Sequence, residues 1–115
     1  MTKEEYLLTC LSEECAEVAQ CVSKALRFGL DTTYGDEKKT NREQLINELN
    51  DLVAVCGILM YEDVLPAEWS DSAAQTKKIT KVMEYMDISE QLGRLDRPDS
   101  EITENNGVQT TSGVV

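Results

Sequence analysis

Apolar residues recur at helical spacing along three segments of the chain. In the first segment, Thr2 and Glu5 have the spacing of a capping box, and a helix is predicted from there to about Phe28, where Gly29 ends it. Its apolar stripe consists of Leu7, Leu8, Leu11, Cys15, Val18, Val22, Ala25 and Leu26. We expect this stripe to form the core face of the first helix.

The second and third segments follow the same pattern. Thr40 and Glu43 repeat the capping-box spacing and predict a helix from Asn41 to about Tyr61. Its apolar stripe consists of Leu45, Leu49, Leu52, Val53, Cys56, Leu59 and Met60. After a turn around Pro66, a third helix is predicted from about residue 70 to 92. Its candidate core positions are Ala73, Ile79, Val82, Met83, Met86 and Leu92.

Two segments lack an apolar pattern. Residues 29–39 are rich in Gly, Asp and Thr and are expected to form an exposed loop. Residues 96–115 are rich in Asp, Ser, Thr, Asn and Gly and are expected to be a disordered tail. The sequence therefore predicts one folded domain over residues 1–95, followed by the tail.

Composition supports an all-α fold. The 115 residues include only 2 prolines and 5% aromatic residues, and the helix formers Leu, Glu, Ala, Lys and Gln are plentiful. We expect a bundle of three to four helices per chain. Because a chain of this length buries little apolar surface alone, assembly into a homo-oligomer through helix packing is also expected.

Charge and hydropathy narrow the classes of function. A net charge of -11 disfavours nucleic-acid binding, because phosphate backbones are held by clustered Lys and Arg. No apolar run is long enough to span a bilayer, and the polar beginning of the chain does not resemble a signal peptide. We therefore expect a cytoplasmic protein with no membrane partner.

Residue types restrict the chemistry further. The chain has no histidine, and its 4 cysteines lack C-x-x-C spacing, so a structural zinc site is not expected. The cysteines, at positions 10, 15, 21 and 56, are expected to be small buried apolar side chains. Catalysis would have to use carboxylates, lysines or metal-bound water.

Two pairs of carboxylates stand out. Glu14 and Glu17 are three residues apart on the first helix, and Glu48 and Asp51 repeat that spacing on the second, so each pair lies on one helix face. Either pair alone is typical of a solvated helix edge. Both pairs border an apolar stripe, however, and would converge beside the core if the helices pack antiparallel.

Converging carboxylates require a cation, because like charges that are partly buried and unpaired destabilise a fold. Ligands that are all oxygen favour hard ions, and carboxylates together with water and substrate phosphates are the usual environment of Mg²⁺. The residues thus predict a Mg²⁺ site formed by both helices, in which Mn²⁺ could substitute.

The sequence around these carboxylates resembles a known superfamily. Glu13-Glu14-Cys15-Ala16-Glu17 and Glu48-Leu49-Asn50-Asp51 are similar to the E-E-x-x-E and E-x-x-D motifs of the MazG-like, all-α nucleoside triphosphate pyrophosphohydrolases. The resemblance covers roughly residues 5 to 95. It implies that Glu14, Glu17, Glu48 and Asp51 bind Mg²⁺, that a (d)NTP is cut between its α and β phosphates, and that the chain forms a homodimer or homotetramer.

Other side chains are candidates for supporting roles. Glu13 could accept a proton from the attacking water. Phosphates that the metal does not cover need cationic partners, and asparagines beside the second motif could contact a base or metal-bound water. These substrate-binding candidates are Lys24, Arg27, Asn47, Asn50, Lys78, Lys81 and Tyr85.

Three functional interpretations remain open. The first is a pyrophosphohydrolase of canonical or modified (d)NTPs. The second keeps the fold and changes the substrate to dUTP, phosphoribosyl-ATP or an alarmone. The third is a non-catalytic helical interaction module whose acidic ridge binds a metal or a basic partner.

Overall fold

The computed structural model describes residues 1–33, 35–36 and 38–97. It contains the α-helices Lys3–Phe28 (α1), Asn41–Tyr61 (α2) and Ser72–Gln91 (α3), and the described residues include no strand. The all-α prediction is confirmed. Within the same residues, no helix is long and apolar enough to cross a membrane. The predicted tail lies outside the described residues except for Asp96 and Arg97.

The first two helices begin where the sequence predicts. The Thr2 side chain accepts a hydrogen bond from the Glu5 backbone N–H at 3.1 Å. Thr40 and Glu43 form a complete capping box: the Glu43 N–H donates to Thr40 Oγ1 at 3.2 Å, and the Thr40 N–H donates to Glu43 Oε1 at 3.0 Å. Each cap satisfies backbone groups that the first helical turn leaves without partners.

The chain divides into two compact units, Met1–Ser70 and Asp71–Val115, which are described separately. In the second unit, α3 begins after Asp71, slightly later than predicted, because the Asp71 carboxylate accepts from the Ala73 N–H at 2.9 Å. Beyond α3, Arg97 forms ion pairs with Asp87 at 2.6 Å and Glu90 at 3.2 Å. These ion pairs hold Arg97 against the last turns of α3.

The first unit is a hairpin in which α1 and α2 pack against each other. The contact is antiparallel: Lys3, at the start of α1, pairs with Glu62, just after α2, at 2.9 Å. Two rows of partly or fully buried side chains follow the heptad spacing of three and four residues. We call these rows the inner seam: Leu7, Leu11, Glu14, Val18, Cys21 and Ala25 on α1, and Leu45, Glu48, Leu52, Val55 and Leu59 on α2.

The predicted core was too broad. Among the described residues, only Leu7 and Leu59 are buried apolar side chains, at 9% and 0% exposure. Part of each predicted stripe instead faces outward, because a helix in a two-helix hairpin has one neighbour and can cover only one seam. The exposed members are Leu8, Cys15, Val22 and Leu26 on α1, Leu49, Val53 and Met60 on α2, and Ala73, Ile79, Val82, Met83 and Leu92 on α3.

The cysteines are free thiols. Cys10, Cys21 and Cys56 are half-buried, as small apolar side chains would be, but Cys15 is exposed, contrary to the prediction. Cys15 follows Glu14 in the sequence, and the one-residue step rotates it by about 100° out of the inner seam.

The described residues of the connection between the helices, 29–33, 35–36 and 38–39, are exposed, as predicted, and the connection is anchored at its ends. Gly29 has φ 97°, a conformation that L side chains rarely adopt, and its N–H donates to the Ala25 carbonyl at 2.8 Å. Asn41, only 3% exposed, donates from Nδ2 to the Gly29 carbonyl at 2.8 Å. Arg42 pairs with Asp31 at 3.0 Å. These contacts fix the distance between the end of α1 and the start of α2.

Candidate metal centre

Three carboxylates from the two helices of the hairpin meet at its middle. One oxygen from each of Glu14, Glu17 and Glu48 lies within 4.8 Å of the others. Glu14 and Glu48 are half-buried, whereas Glu17 is exposed. The structure thus brings together three of the four residues that the sequence motifs predict as ligands.

The burial of Glu14 and Glu48 follows from their position in the inner seam. Glu14 occupies a seam position between Leu11 and Val18, and Glu48 occupies one between Leu45 and Leu52. The sequence placed both carboxylates at the border of the apolar stripe, but the structure places them within it. Polar residues at seam positions lower the stability of a helix pair, so their presence on both helices needs a compensating partner.

Two of the carboxylate oxygens have no such partner among the described residues. Oε2 of Glu14 and Oε2 of Glu48 are buried and accept no hydrogen bond. Buried polar atoms in folded proteins nearly always have a partner, and an exception indicates an unseen water, ion or catalytic role. The two oxygens are therefore the best evidence that the cluster binds something.

The electrostatics of Glu14 agree with this interpretation. Its pKa is raised above the ordinary value, mainly by burial and then by the negative charges of Glu17, Asp51 and Glu13. Each of these causes disfavours the ionised form. A bound cation would oppose all of them, since it stabilises the carboxylate against both desolvation and repulsion.

The pKa of Glu48 is raised as well, but the causes differ in order. The largest is a hydrogen bond with the Glu17 side chain, followed by burial and by the charges of Glu17, Asp51 and Glu14. Two carboxyl groups can share a hydrogen bond only if one of them keeps a proton. Without a cation, these causes favour the protonated form of Glu48.

The donor set fits a hard divalent cation. All three side chains offer carboxylate oxygens, which suit Mg²⁺, Mn²⁺ or Ca²⁺ better than the soft ions that thiolates select. Two of the oxygens lack a competing partner. Mg²⁺ commonly takes a few carboxylates and completes its shell with water and phosphate oxygens, so an open side at the exposed Glu17 is compatible with substrate access.

Asp51 and Glu13 lie around this three-residue group. Asp51, predicted as the fourth ligand, is exposed, and its charge raises the pKa of both Glu14 and Glu48. Glu13 is exposed as well and acts on Glu14. Both add negative potential at the centre from outside the three-residue group.

The basic candidates on α1 differ in their surroundings. Lys24 is half-buried, and its charge acts on Cys21, whose thiol also experiences the charges of Glu48 and Glu17. Lys24 therefore lies on the carboxylate side of the helix, about two turns beyond Glu17. Arg27 is exposed and stacks over the Phe28 ring, with its guanidinium carbon 5.0 Å from the ring centroid.

Among the described residues, no hydrogen bond joins the two predicted asparagines to the cluster. Asn47 is exposed, and Asn50 donates from Nδ2 to the Ile46 carbonyl of its own helix at 2.8 Å. Lys78, Lys81 and Tyr85 lie exposed on α3, in the second unit. For these five residues, substrate binding stays a prediction.

Sequence reasoning missed two residues that shape the site. Burial raises the pKa of the Cys21 thiol, as does the charge of Glu48. Its spacing from Glu14 and Glu17, seven and four residues, could have placed it on their face. Asn41 holds the loop that joins the two helices, but the sequence offered no comparable signal for it, because a long-range contact determines its role.

Comparisons with known proteins provide no independent assignment. No family model, no curated protein and no solved structure matches the chain. The case for function therefore depends on the carboxylate centre and on the motif resemblance.

Proposed function

We propose that the chain is a Mg²⁺-dependent nucleotide pyrophosphohydrolase that cleaves (d)NTPs between the α and β phosphates, releasing a monophosphate and pyrophosphate. The observation that carries the metal requirement is the pair of buried, unpartnered oxygens on Glu14 and Glu48, within a cluster that Glu17 completes. The resemblance of the E-E-x-x-E and E-x-x-D segments to MazG-like enzymes supports the choice of reaction.

In this proposal Glu14, Glu17 and Glu48 hold Mg²⁺, with Asp51 as a fourth ligand and Mn²⁺ as a substitute ion. When bound, the cation supplies positive charge at the substrate phosphates and lowers the pKa of an attacking water. Glu13, exposed beside the cluster, would accept the proton of that water.

Basic residues on α1 would orient the phosphates. Lys24 is the better placed candidate, because it lies close enough to Cys21 to influence a thiol that the cluster carboxylates also influence. Its ammonium would pair with phosphate oxygens that the cation leaves uncovered. Arg27, whose guanidinium carbon lies 5.0 Å from the centroid of the Phe28 ring, would present its positive charge further along α1.

Substrate class and setting are part of the same proposal. The substrate is a free nucleotide, and we propose that the enzyme works in the cytoplasm as a homodimer or homotetramer. Within the superfamily, dUTP, phosphoribosyl-ATP and alarmones are alternative substrates, so they belong in any assay of activity.

The decisive experiment incubates the full chain with Mg²⁺ and a panel of nucleotides that includes these alternatives. The products are identified by ³¹P NMR, which distinguishes pyrophosphate from orthophosphate. We expect monophosphate and pyrophosphate from at least one nucleotide, and a loss of at least about 100-fold in kcat/KM for Glu48→Gln. Glu4→Gln, which neutralises an exposed carboxylate near the start of α1, should retain activity.

Each other outcome has a distinct meaning. Release of orthophosphate would support hydrolase activity but would contradict cleavage between the α and β phosphates. Full activity of Glu48→Gln would show that the metal centre lies elsewhere. If no nucleotide is cleaved while Mn²⁺ still binds in a Glu48-dependent manner, the chain is a non-catalytic metal-binding module.

A further inference from the structure

The side of the hairpin that carries the exposed Glu17 and Asp51 also carries uncharged side chains. Each of these carboxylates follows a seam carboxylate by three residues, and in an antiparallel pair this step turns both to the same side. Tyr6 lies eleven residues before Glu17, and Ile58 lies seven residues after Asp51. Both spacings keep a side chain within about 20° around its helix. We call the uncharged residues on this side the apolar patch: Tyr6, Cys10, Ala54 and Ile58.

The apolar patch lies between the carboxylate cluster and the open end of the hairpin, which the ion pair between Lys3 and Glu62 marks at 2.9 Å. Three residues forward from Lys3 is Tyr6, and four residues back from Glu62 is Ile58. Because the helices are antiparallel, both steps lead in the same direction. Tyr6 and Ile58 therefore lie at about the same level, one turn inside the ion pair.

The apolar patch is accessible and close to the metal centre. Tyr6 is 60% exposed and Ile58 is 46% exposed. Tyr6 precedes Glu14 by eight residues, which is about 12 Å along the helix axis. A ligand anchored at the carboxylate cluster could therefore contact an exposed aromatic ring and an aliphatic side chain with its other end.

The surface on the other side of the cluster, toward the loop, is polar. Gln20 and Lys24 follow Glu17 on the same face of α1, by three and seven residues. On α2, Asn47 precedes Asp51 by four residues. Phosphates are held by cations and hydrogen-bond donors, whereas aromatic rings pack against aromatic and aliphatic side chains. The two directions along the hairpin therefore suit the two ends of a nucleotide.

We infer that a bound nucleotide lies along the hairpin with its base on the apolar patch and its β and γ phosphates toward Lys24. The inference rests on the part of the proposed function that brings nucleotide phosphates to the metal centre, and it assigns recognition of the base to Tyr6 and Ile58. An aromatic side chain stacks on any base, because every base has a π face. Purine and pyrimidine nucleotides should therefore both bind, with the larger purine ring favoured.

The test compares a ligand that has a base with one that has none. Isothermal titration calorimetry of the full chain with Mn²⁺ uses the α,β-methylene analogue of dATP, which resists cleavage between the α and β phosphates, and inorganic tripolyphosphate. We expect Tyr6→Ala to bind the analogue at least about 10-fold more weakly and to bind tripolyphosphate within about 2-fold of the wild type. Tyr6→Phe, which keeps the ring, should bind both ligands like the wild type.

Two isoleucines of α2 provide a matched control. Ile58 lies on the side of Asp51, whereas Ile46 is turned about 140° from Asp51 around the helix. Their exposures are similar, at 46% and 51%. Ile58→Ala should weaken binding of the analogue by at least about 3-fold, and Ile46→Ala should leave it unchanged. Far-UV circular dichroism checks that each variant retains its helices.

The outcomes separate this inference from the proposed reaction. Binding as expected, with no nucleotide cleaved by the wild type, would support the orientation and contradict pyrophosphohydrolase activity. Unchanged binding of the analogue by Tyr6→Ala, or equal weakening of the analogue and tripolyphosphate, would overturn the orientation even if nucleotides are cleaved. A wild type that binds neither ligand would overturn the orientation together with the proposed function.

Discussion

Polar groups at the loop end of the hairpin have partners within the chain, whereas two carboxylate oxygens at its middle have none among the described residues. At the loop end, Asn41 donates to Gly29, Arg42 pairs with Asp31, and Thr40 forms a capping box with Glu43. At the middle, carboxylates stand in the apolar seam with two oxygens lacking partners.

The polar groups at the loop end stabilise the fold, whereas the carboxylates at the middle are candidates for a functional role. Every polar interaction at the loop end is satisfied within the chain and contributes to the fold. At the middle of the hairpin, two carboxylate oxygens lack a partner among the described residues, and unpaired buried oxygens of this kind lower stability. A site that binds a cation is expected to be locally destabilising in its empty form. Four predictions test this contrast, ordered from the largest expected effect to the smallest.

The first prediction replaces the two buried carboxylates with seam-forming residues. In EDTA at pH 7, the double variant Glu14→Leu/Glu48→Leu should melt at least about 5 °C above the wild type, because it removes repulsion and adds leucine packing in the inner seam. Mn²⁺ should raise the melting temperature of the wild type and leave that of the variant unchanged. Differential scanning fluorimetry measures both effects.

The control for this pair is Glu13→Leu, at an exposed position outside the seam. It should shift the melting temperature by less than about 2 °C, as surface substitutions usually do. A double variant less stable than the wild type in EDTA would mean that Glu14 and Glu48 stabilise the hairpin through contacts within the chain.

The second prediction removes the anchor of the loop end. Asn41→Ala should lower the free energy of unfolding by about 1–3 kcal/mol, because it deletes a hydrogen bond from a buried amide and leaves the Gly29 carbonyl without it. Urea denaturation gives the value. The dependence of the melting temperature on Mn²⁺ should persist, and its loss would show that the loop end and the metal centre are energetically coupled.

These two regions also differ in how far the sequence could reveal them. The helices and two of their caps follow from local patterns, such as Thr40 three residues before Glu43. The carboxylate pairs could be recognised in the sequence because residues three apart on a helix lie on the same face. Whether Glu14 lies in the seam or beside it depends on how α1 is rotated against α2, which no local pattern specifies.

The exposed apolar residues of α1 and α2 illustrate the same limit. Val53 and Leu59 look equivalent as members of one stripe, yet the hairpin buries Leu59 and leaves Val53 61% exposed. An apolar stripe that is wide enough to pack against two neighbouring helices predicts a single core face when the number of neighbouring helices is unknown. The sequence could therefore predict the helices and three carboxylates that meet in the cluster, but not which apolar residues a single chain covers.

The third prediction concerns pH. The pKa values of Glu14 and Glu48 are raised from an ordinary 4.5. In the metal-free chain their favourable contribution is fully present below that value and is lost as pH rises through the raised values. Compared with Glu14→Gln/Glu48→Gln in EDTA, the wild type should therefore lose relative stability between about pH 4 and 7.

Urea midpoints at several pH values provide the measurement, and Mn²⁺ should reverse the trend because it binds the ionised carboxylates. A difference between wild type and variant that stays constant from pH 4 to 7 would contradict the raised pKa values.

The last prediction is the smallest and has the opposite sign. Hydrogen bonding to Arg42 lowers the pKa of Asp31 from its ordinary 3.8, so the contribution of this ion pair is present above that value and is lost as pH falls through the lowered one. Asp31→Asn should melt below the wild type at pH 7, by less than about 3 °C because the pair is exposed, and the difference should disappear near pH 2.

The same measurement in 1 M NaCl should reduce the difference at pH 7, since salt screens exposed charges. A difference that survives at both low pH and high salt would mean that Asp31 acts through the loop backbone, and the loop end would then depend on geometry more than on charge.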